Sequence, residues 1–190
     1  LVVTSLVGLS RLLTPALVAF QAENPGLVVR YLTGERLFRL EYGEAHVAIR
    51  AGTMPEQPDN VVQPFISQPV SLVASDAYVA RHGLPAGVED LANHVFVGHD
   101  ETVARAPFNK WLEDLVPGAH IAFRAMDNQT LRDAIISGAG VGFMAPWDRY
   151  GRDDLHEVVP ARGEWNSPLW MVTHVDLHRT AKVQAFTSFL

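Results

Sequence analysis

Leu131, Ala134, Ile135 and Gly138 recur at i, i+3, i+4 and i+7 within MDNQTLRDAIISGAGVGFMAP, residues 126–146, the spacing of one buried helical face. Just ahead of that face stand Asp127, Asn128 and Thr130, all N-cap types whose side-chain oxygens accept from the unpaired amides of a first helical turn. Gly138 and Gly140 supply the backbone that ends a helix tightly. The apolar run 141–145 then suits a central parallel strand, closed by Pro146, which cannot continue a ladder. A helix N-terminus beside such a strand end favours an anionic or polar small molecule.

The same reading carries along the chain. Residues 1–7 form a buried strand, and Leu13, Ala16, Leu17 and Phe20 mark a helical face with Thr14 and Pro15 in its first turn. Asn24, Pro25 and Gly26 stop that helix, and residues 27–32 are rich in strand formers. A short helix around Leu37, Leu40 and Glu41 ends at Gly43, and residues 46–50 make a third strand. Strands follow at 61–66, 70–74, 95–98, 121–124, 155–158 and 169–173. Helices are expected at 76–82, on the face of Phe108, Trp111, Leu112 and Leu115, and at the end, through Val183, Phe186 and Leu190. Strands alternating with helices at this spacing predict parallel α/β units. Periodicity leaves one sheet and two lobes both open, with 61–75 and 169–173 as the places where the chain would cross.

Composition narrows the function. One hundred and ninety residues suffice for one large domain or two small lobes. Net charge is −6 with no Lys/Arg run, which argues against this segment gripping nucleic acid by itself. The chain has no cysteine, so thiolate chemistry, disulfides and Cys-ligated zinc are excluded. Its opening LVVTSLVGLSRLL lacks the basic lead-in of a signal peptide, and no apolar run is long enough to span a membrane. Because it starts inside a strand and without Met, a further segment is expected upstream of Leu1.

Catalytic constellations are not legible. Neither a nucleophile elbow, a phosphate loop nor a helix-borne His-Glu-x-x-His is present, and Ser137 lacks the preceding glycine and a His–Asp partner. GAGVG is not followed by a helix and so fails as a dinucleotide fingerprint. His174, Asp176 and His178 look like a metal set, but their spacing suits zinc only on a helix, and this stretch reads as strand end and loop. Enzyme activity, cofactor and metal are therefore not expected.

Five segments in order resemble one family. They are LLTPALVAFQAENPGLVVRY, RLEYGEAHVAIRAG, PVSLVASDAYVARHGLPAGVEDLANHVFV, AMDNQTLRDAIISGAGVGFMAP and PLWMVTHVDLHRTAKVQAFTSFL. Together they resemble the effector-binding (substrate-binding) domain of LysR-type transcriptional regulators over almost the whole length. That resemblance implies an α/β fold of two Rossmann-like lobes joined by two crossing strands, periplasmic-binding-protein-like of type 2. Lobe I would hold 1–70 and 171–190, and lobe II 71–170. It also implies an effector in the interlobe cleft, homodimers or homotetramers, cytoplasmic location without a membrane, and promoter DNA bound only through an upstream winged helix-turn-helix domain.

Carried over by position, the implied effector contacts are Thr4, Ser5, Leu6, Thr33, Phe65, Ser67, His99, Asn128, Met144 and Trp147. Each has a plainer reading. Asn128 either meets the effector or only caps its helix. Thr4 and Ser5 either bind at a strand end, where doubly wound folds place ligands, or close a turn. His99 beside Asp100 is a pH-sensitive donor or half of a solvated pair. Arg50 counters an anion or pairs with a nearby carboxylate, and Trp147 stacks on a ligand or packs. The set favours a polar or anionic metabolite, a carboxylate among the classes. One departure stands out: the family commonly carries Asp where this chain has His46. The alternative is a free-standing solute-binding protein of a transport system, which shares the fold and would need a secretion signal upstream.

Overall fold

The computed structural model describes residues 1–34, 36–100, 106–116 and 120–190. They divide into two compact units, Leu1–Ser67 with Pro168–Leu190, and Gln68–Ser167.

In the first unit, strand β1 (Val2–Ser5) leads through a 3₁₀ turn, Val7–Leu9, directly into helix α1 (Ser10–Glu23). Strand β2 (Arg30–Thr33) follows, then a 3₁₀ turn at Leu40–Tyr42, β3 (Val47–Ala51) and β4 (Asn60–Gln68). Gly43 ends that turn in the left-handed region at φ 69°, open to glycine at little cost.

The second unit runs β5 (Ser71–Ser75), α2 (Asp76–His82), β6 (Phe96–His99), α3 (Pro107–Leu115), β7 (Ile121–Ala125), α4 (Asn128–Ile136), β8 (Gly142–Met144), α5 (Pro146–Arg149) and β9 (Leu155–Val159). Strand β10 (Ser167–His174), α6 (Val175–His178) and α7 (Ala181–Phe189) return the chain to the first unit.

The first unit's sheet is ordered β2-β1-β3-β10-β4. Its first three strands are parallel, with Ser5 beside Thr33 on one side and Ile49 on the other, while β10 runs antiparallel to β3. Val2 pairs with Arg30, so residues 27–29 precede the ladder and β2 is shorter than its strand-forming composition predicts. Helix α1 buries Leu13, Leu17 and Phe20, and Phe20 meets Phe186 and Phe189 of α7 edge-on at 5.1 and 5.4 Å. Pro15 sits inside α1 rather than in its first turn. The helix starts earlier than Thr14–Pro15 suggests because Leu9 and Leu13 are drawn into the core, burial that offsets the hydrogen bond Pro15 cannot make.

In the second unit, β5 is buried throughout. Leu72 and Ala74 point into one core with Tyr78, Phe96 and Trp165, and Val73 into another with Leu131, Ile135 and Met144. The strand predicted as central and parallel is central but mixed. Val141 exchanges parallel backbone bonds with Val95 and Val97 of 2.9 and 2.8 Å, while β8 pairs antiparallel with β5. Leu115, expected on the buried face of α3, is instead 38% exposed at the helix end.

The glycine run after α4 answers to packing. Gly138 has φ +79°, and a Cβ there would lie 2.8 Å from the backbone of Ala77 and Tyr78; one at Gly140 would lie 2.8 Å from the Phe96 carbonyl carbon. Arg81 of α2 donates to the Gly138 carbonyl, a cation at the end of α4 where the helix dipole is negative.

Candidate functional site

Parallel strands end with their carbonyls and side chains facing the loops that follow, and where the strand order reverses those loops part and leave a crevice. Here the chain leaves β1 for β2 on one side and later returns to β3 on the other. A cavity of about 560 Å³ opens at that point. Thr4 and Ser5 line it from β1 and Leu6 from just past its end, Ala48, Ile49, Arg50 and Ala51 from β3, and residues 53–57 from the loop beyond. Leu37 and Phe38 add apolar wall.

Thr4 and Ser5 are buried, at 6% and 5% exposure. The Ser5 hydroxyl donates to the Leu6 carbonyl at 2.8 Å and, with its proton so placed, accepts from the Tyr31 hydroxyl at 2.6 Å. Burial pushes the Tyr31 phenol above its ordinary range, partly opposed by the bond to Ser5. Tyr31 was not singled out from the sequence. Its signal was register: it pairs with Val3, so it shares a sheet face with Ser5 two residues on.

Two arginines belong to the cavity wall. Arg36 is engaged: it bridges Glu44 at 2.8 Å and lies over the Phe38 ring, 4.6 Å from the centroid. Glu44 also accepts from the Arg39 amide at 2.9 Å, and that bond, ahead of the two guanidinium groups, holds its carboxyl below the usual range. Arg50 is half-buried, and its guanidinium has no hydrogen-bonded or ion-paired partner among the described residues. Burial lowers its pKa from the ordinary arginine value, with the through-space pull of Glu41 acting the other way. A second, smaller cavity of about 330 Å³ shares Leu37, Phe38, Arg50 and Gln57 with the first.

Thr33 pairs with Ser5 but is exposed, and neither it nor Phe65 or Ser67 of β4 is among the described lining of the 560 Å³ cavity. Met144 packs in the core with Val97, Leu131 and Ile135 at 3% exposure, which leaves no side-chain surface for a ligand. Trp147, at the start of α5, is half-buried, with its indole nitrogen buried and unpartnered among the described residues.

His99 and Asn128 do come together. His99 Nε2 donates to Asn128 Oδ1 at 3.0 Å, and Arg124 Nη1 donates to the His99 carbonyl at 3.1 Å. Helix α4 is capped by Asp127, not Asn128: the Asp127 carboxylate accepts from the Thr130 amide at 2.9 Å and its hydroxyl at 2.8 Å. Those bonds hold the Asp127 carboxyl below its ordinary range.

His46 proves to be a local contact. Its Nδ1 accepts from the Val2 amide at 2.8 Å, tying the start of β3 to β1, and its Nε2 lies 2.7 Å from Lys182 Nζ. His174 accepts the Asp176 amide as the cap of α6, and His178 pairs with the Thr173 hydroxyl at 3.0 Å.

The family profile described as the LysR substrate binding domain matches residues 1–190. Among curated proteins, the HTH-type transcriptional regulator CrgA of Neisseria meningitidis serogroup C (strain 8013) is 25% identical over 189 residues, covering 94% of this chain and 61% of its own length. Its serogroup B counterpart (strain ATCC BAA-335 / MC58) matches with the same identity and coverage. This chain thus spans about 61% of the length of the curated relatives it matches. Among solved structures, the CrgA regulatory domain from Neisseria meningitidis superposes with a TM-score of 0.80 at 20% identity, covering 100% of this chain and 95% of that one. The AmpR effector binding domain from Citrobacter freundii gives 0.75 at 16% identity, with coverage of 100% and 95%. These structures share the fold predicted from the sequence.

Proposed function

The chain belongs to the LysR substrate-binding domain family, and from that premise we propose that it is the effector-sensing part of a LysR-type transcription regulator. The observation that carries this reading is the cavity of about 560 Å³ at the carboxyl ends of β1 and β3, where an open α/β sheet binds its ligands. Its buried Thr4 and Ser5, apolar walls and half-buried arginine suit a small molecule with one polar end. The relatives named above are regulators and regulatory domains, which favours sensing over solute delivery to a transporter.

In this reading the domain binds its effector without transforming it. Two conformations of the regulator differ in how well they hold the effector, and only that difference in affinity shifts it between them. Promoter DNA is gripped by a helix-turn-helix segment outside this chain, since a net charge of −6 without a Lys/Arg run argues against these residues gripping phosphates. The working protein is a cytoplasmic homodimer or homotetramer.

The decisive experiment uses the full-length gene product. Metabolites that raise its melting temperature are tested for changes in promoter binding by mobility shift and footprinting. The expected result is at least one metabolite that does both. A full-length protein that binds no promoter DNA, with or without such ligands, overturns the proposal.

A further inference from the structure

The candidate site deepens when its polar groups are sorted by what each is already doing, and this step rests on the sensing role proposed above. Ser5 has one hydroxyl proton, and it goes to the Leu6 carbonyl; the Tyr31 hydroxyl is spent on Ser5. Arg36 is held by Glu44 and stacked on Phe38. Of the charged donors that line the cavity, Arg50 is the one with no hydrogen-bonded or ion-paired partner among the described residues.

A half-buried guanidinium without a partner is costly, because water that would have solvated it has been partly removed. Its planar fork matches a carboxylate, two N–H groups to two oxygens. Leu37, Phe38 and Met54 line the same cavity, surfaces that gain from an apolar body. Glu56 also lines the cavity, and Glu41 lies close enough to act on Arg50 through space. With Glu41 acting on Arg50 and Glu56 on the same cavity wall, a second negative charge on the ligand would be repelled.

We propose that Arg50 is the anion anchor of this cavity and that the effector is an apolar monocarboxylate, its carboxylate on Arg50 and its hydrocarbon against Leu37, Phe38 and Met54. Ser5, the strand-end hydroxyl the sequence favoured, then shapes the floor and takes no part in charge recognition.

Titration calorimetry of the domain with hexanoate and benzoate tests this against hexanamide, benzamide and succinate as probes. Expected are binding of at least one monocarboxylate, at least about tenfold weaker binding of its amide, and no tighter binding of succinate. Arg50→Gln should weaken the monocarboxylate about tenfold or more and leave the amide unchanged, with Arg50→Lys between the two. A melting curve of each variant separates lost binding from lost folding. The inference is overturned if no monocarboxylate binds up to about 5 mM, if the amides bind as tightly, or if Arg50→Gln binds carboxylates like the wild type. None of these outcomes bears on promoter binding by the full-length protein, so the sensing role stands or falls separately.

Discussion

His99 Nε2 donates to Asn128 Oδ1 across 3.0 Å, fastening the carboxyl end of β6 to the first turn of α4. Asn128 reaches toward β6 because its neighbour Asp127 already caps the helix. The two positions are therefore separable by mutation. Asp127→Ala should cost about 1 kcal/mol of unfolding free energy, the usual value of an N-cap. Asn128→Ala should cost less, about 0.5 kcal/mol, since it removes one exposed side-chain bond and no cap. Urea denaturation of both variants measures the order; an Asn128 variant that is the weaker of the two would make Asn128 the cap after all.

Ser5 and Tyr31 form a part-buried hydroxyl pair beside the cavity, and removing Ser5 strips the Tyr31 hydroxyl of its partner. Ser5→Ala is expected to destabilise by about 1–2 kcal/mol, with Tyr31→Phe milder because Ser5 keeps its bond to Leu6. A double-mutant cycle should give a coupling of at least about 0.5 kcal/mol. Strict additivity would mean that the two hydroxyls do not interact in solution.

Acid should loosen the first unit at His46. Burial first, then the charge of Lys182, lowers its pKa from the ordinary 6.5, so the folded state favours the neutral ring whose Nδ1 accepts from Val2. Between 6.5 and the lower folded value, the unfolded chain binds a proton that the folded chain refuses, so stability falls as pH drops through that window. His46→Gln, which cannot titrate, should flatten the slope of stability between about pH 7 and about pH 5. An unchanged slope would assign the acid sensitivity to other groups.

Gly138→Ala combines an unfavourable φ of +79° with a Cβ 2.8 Å from the backbone of α2. Backbone cannot step aside as a side chain can, so a loss of about 2 kcal/mol or more is expected in thermal or urea unfolding. Gly52→Ala has a similar φ of +95° with open space around it, and serves as the control for strain alone. Equal losses in the two would show that the close approach to α2 costs nothing.

Local pattern by itself determined much of this protein. Periodicity located α2, α4 and most strands, because a buried face must repeat with the element's own geometry. The segment SDAYVARHG…DLANH was legible as part of a familiar order of motifs; its physics is His94 held between the Tyr78 hydroxyl at 2.9 Å and Asp90 at 3.3 Å. Thr4, Ser5 and Leu6 were legible as a strand end, which is where a ligand site opens in such a sheet.

Only the tertiary structure decided which of those side chains remain available. Whether a hydroxyl is free depends on what its neighbour strand presents, and Tyr31 takes up Ser5 through a register no single stretch encodes. Met144 turned inward because its face of β8 packs on Leu131 and Ile135, while Phe143 on the other face packs against Trp111 and Trp165. Arg50 and Arg36 look alike in sequence, yet Glu44 folds back onto only one of them. Chain pattern specifies elements because their periods are local; the commitment of each polar group is set by partners distant in sequence, and so appears only when the elements are packed.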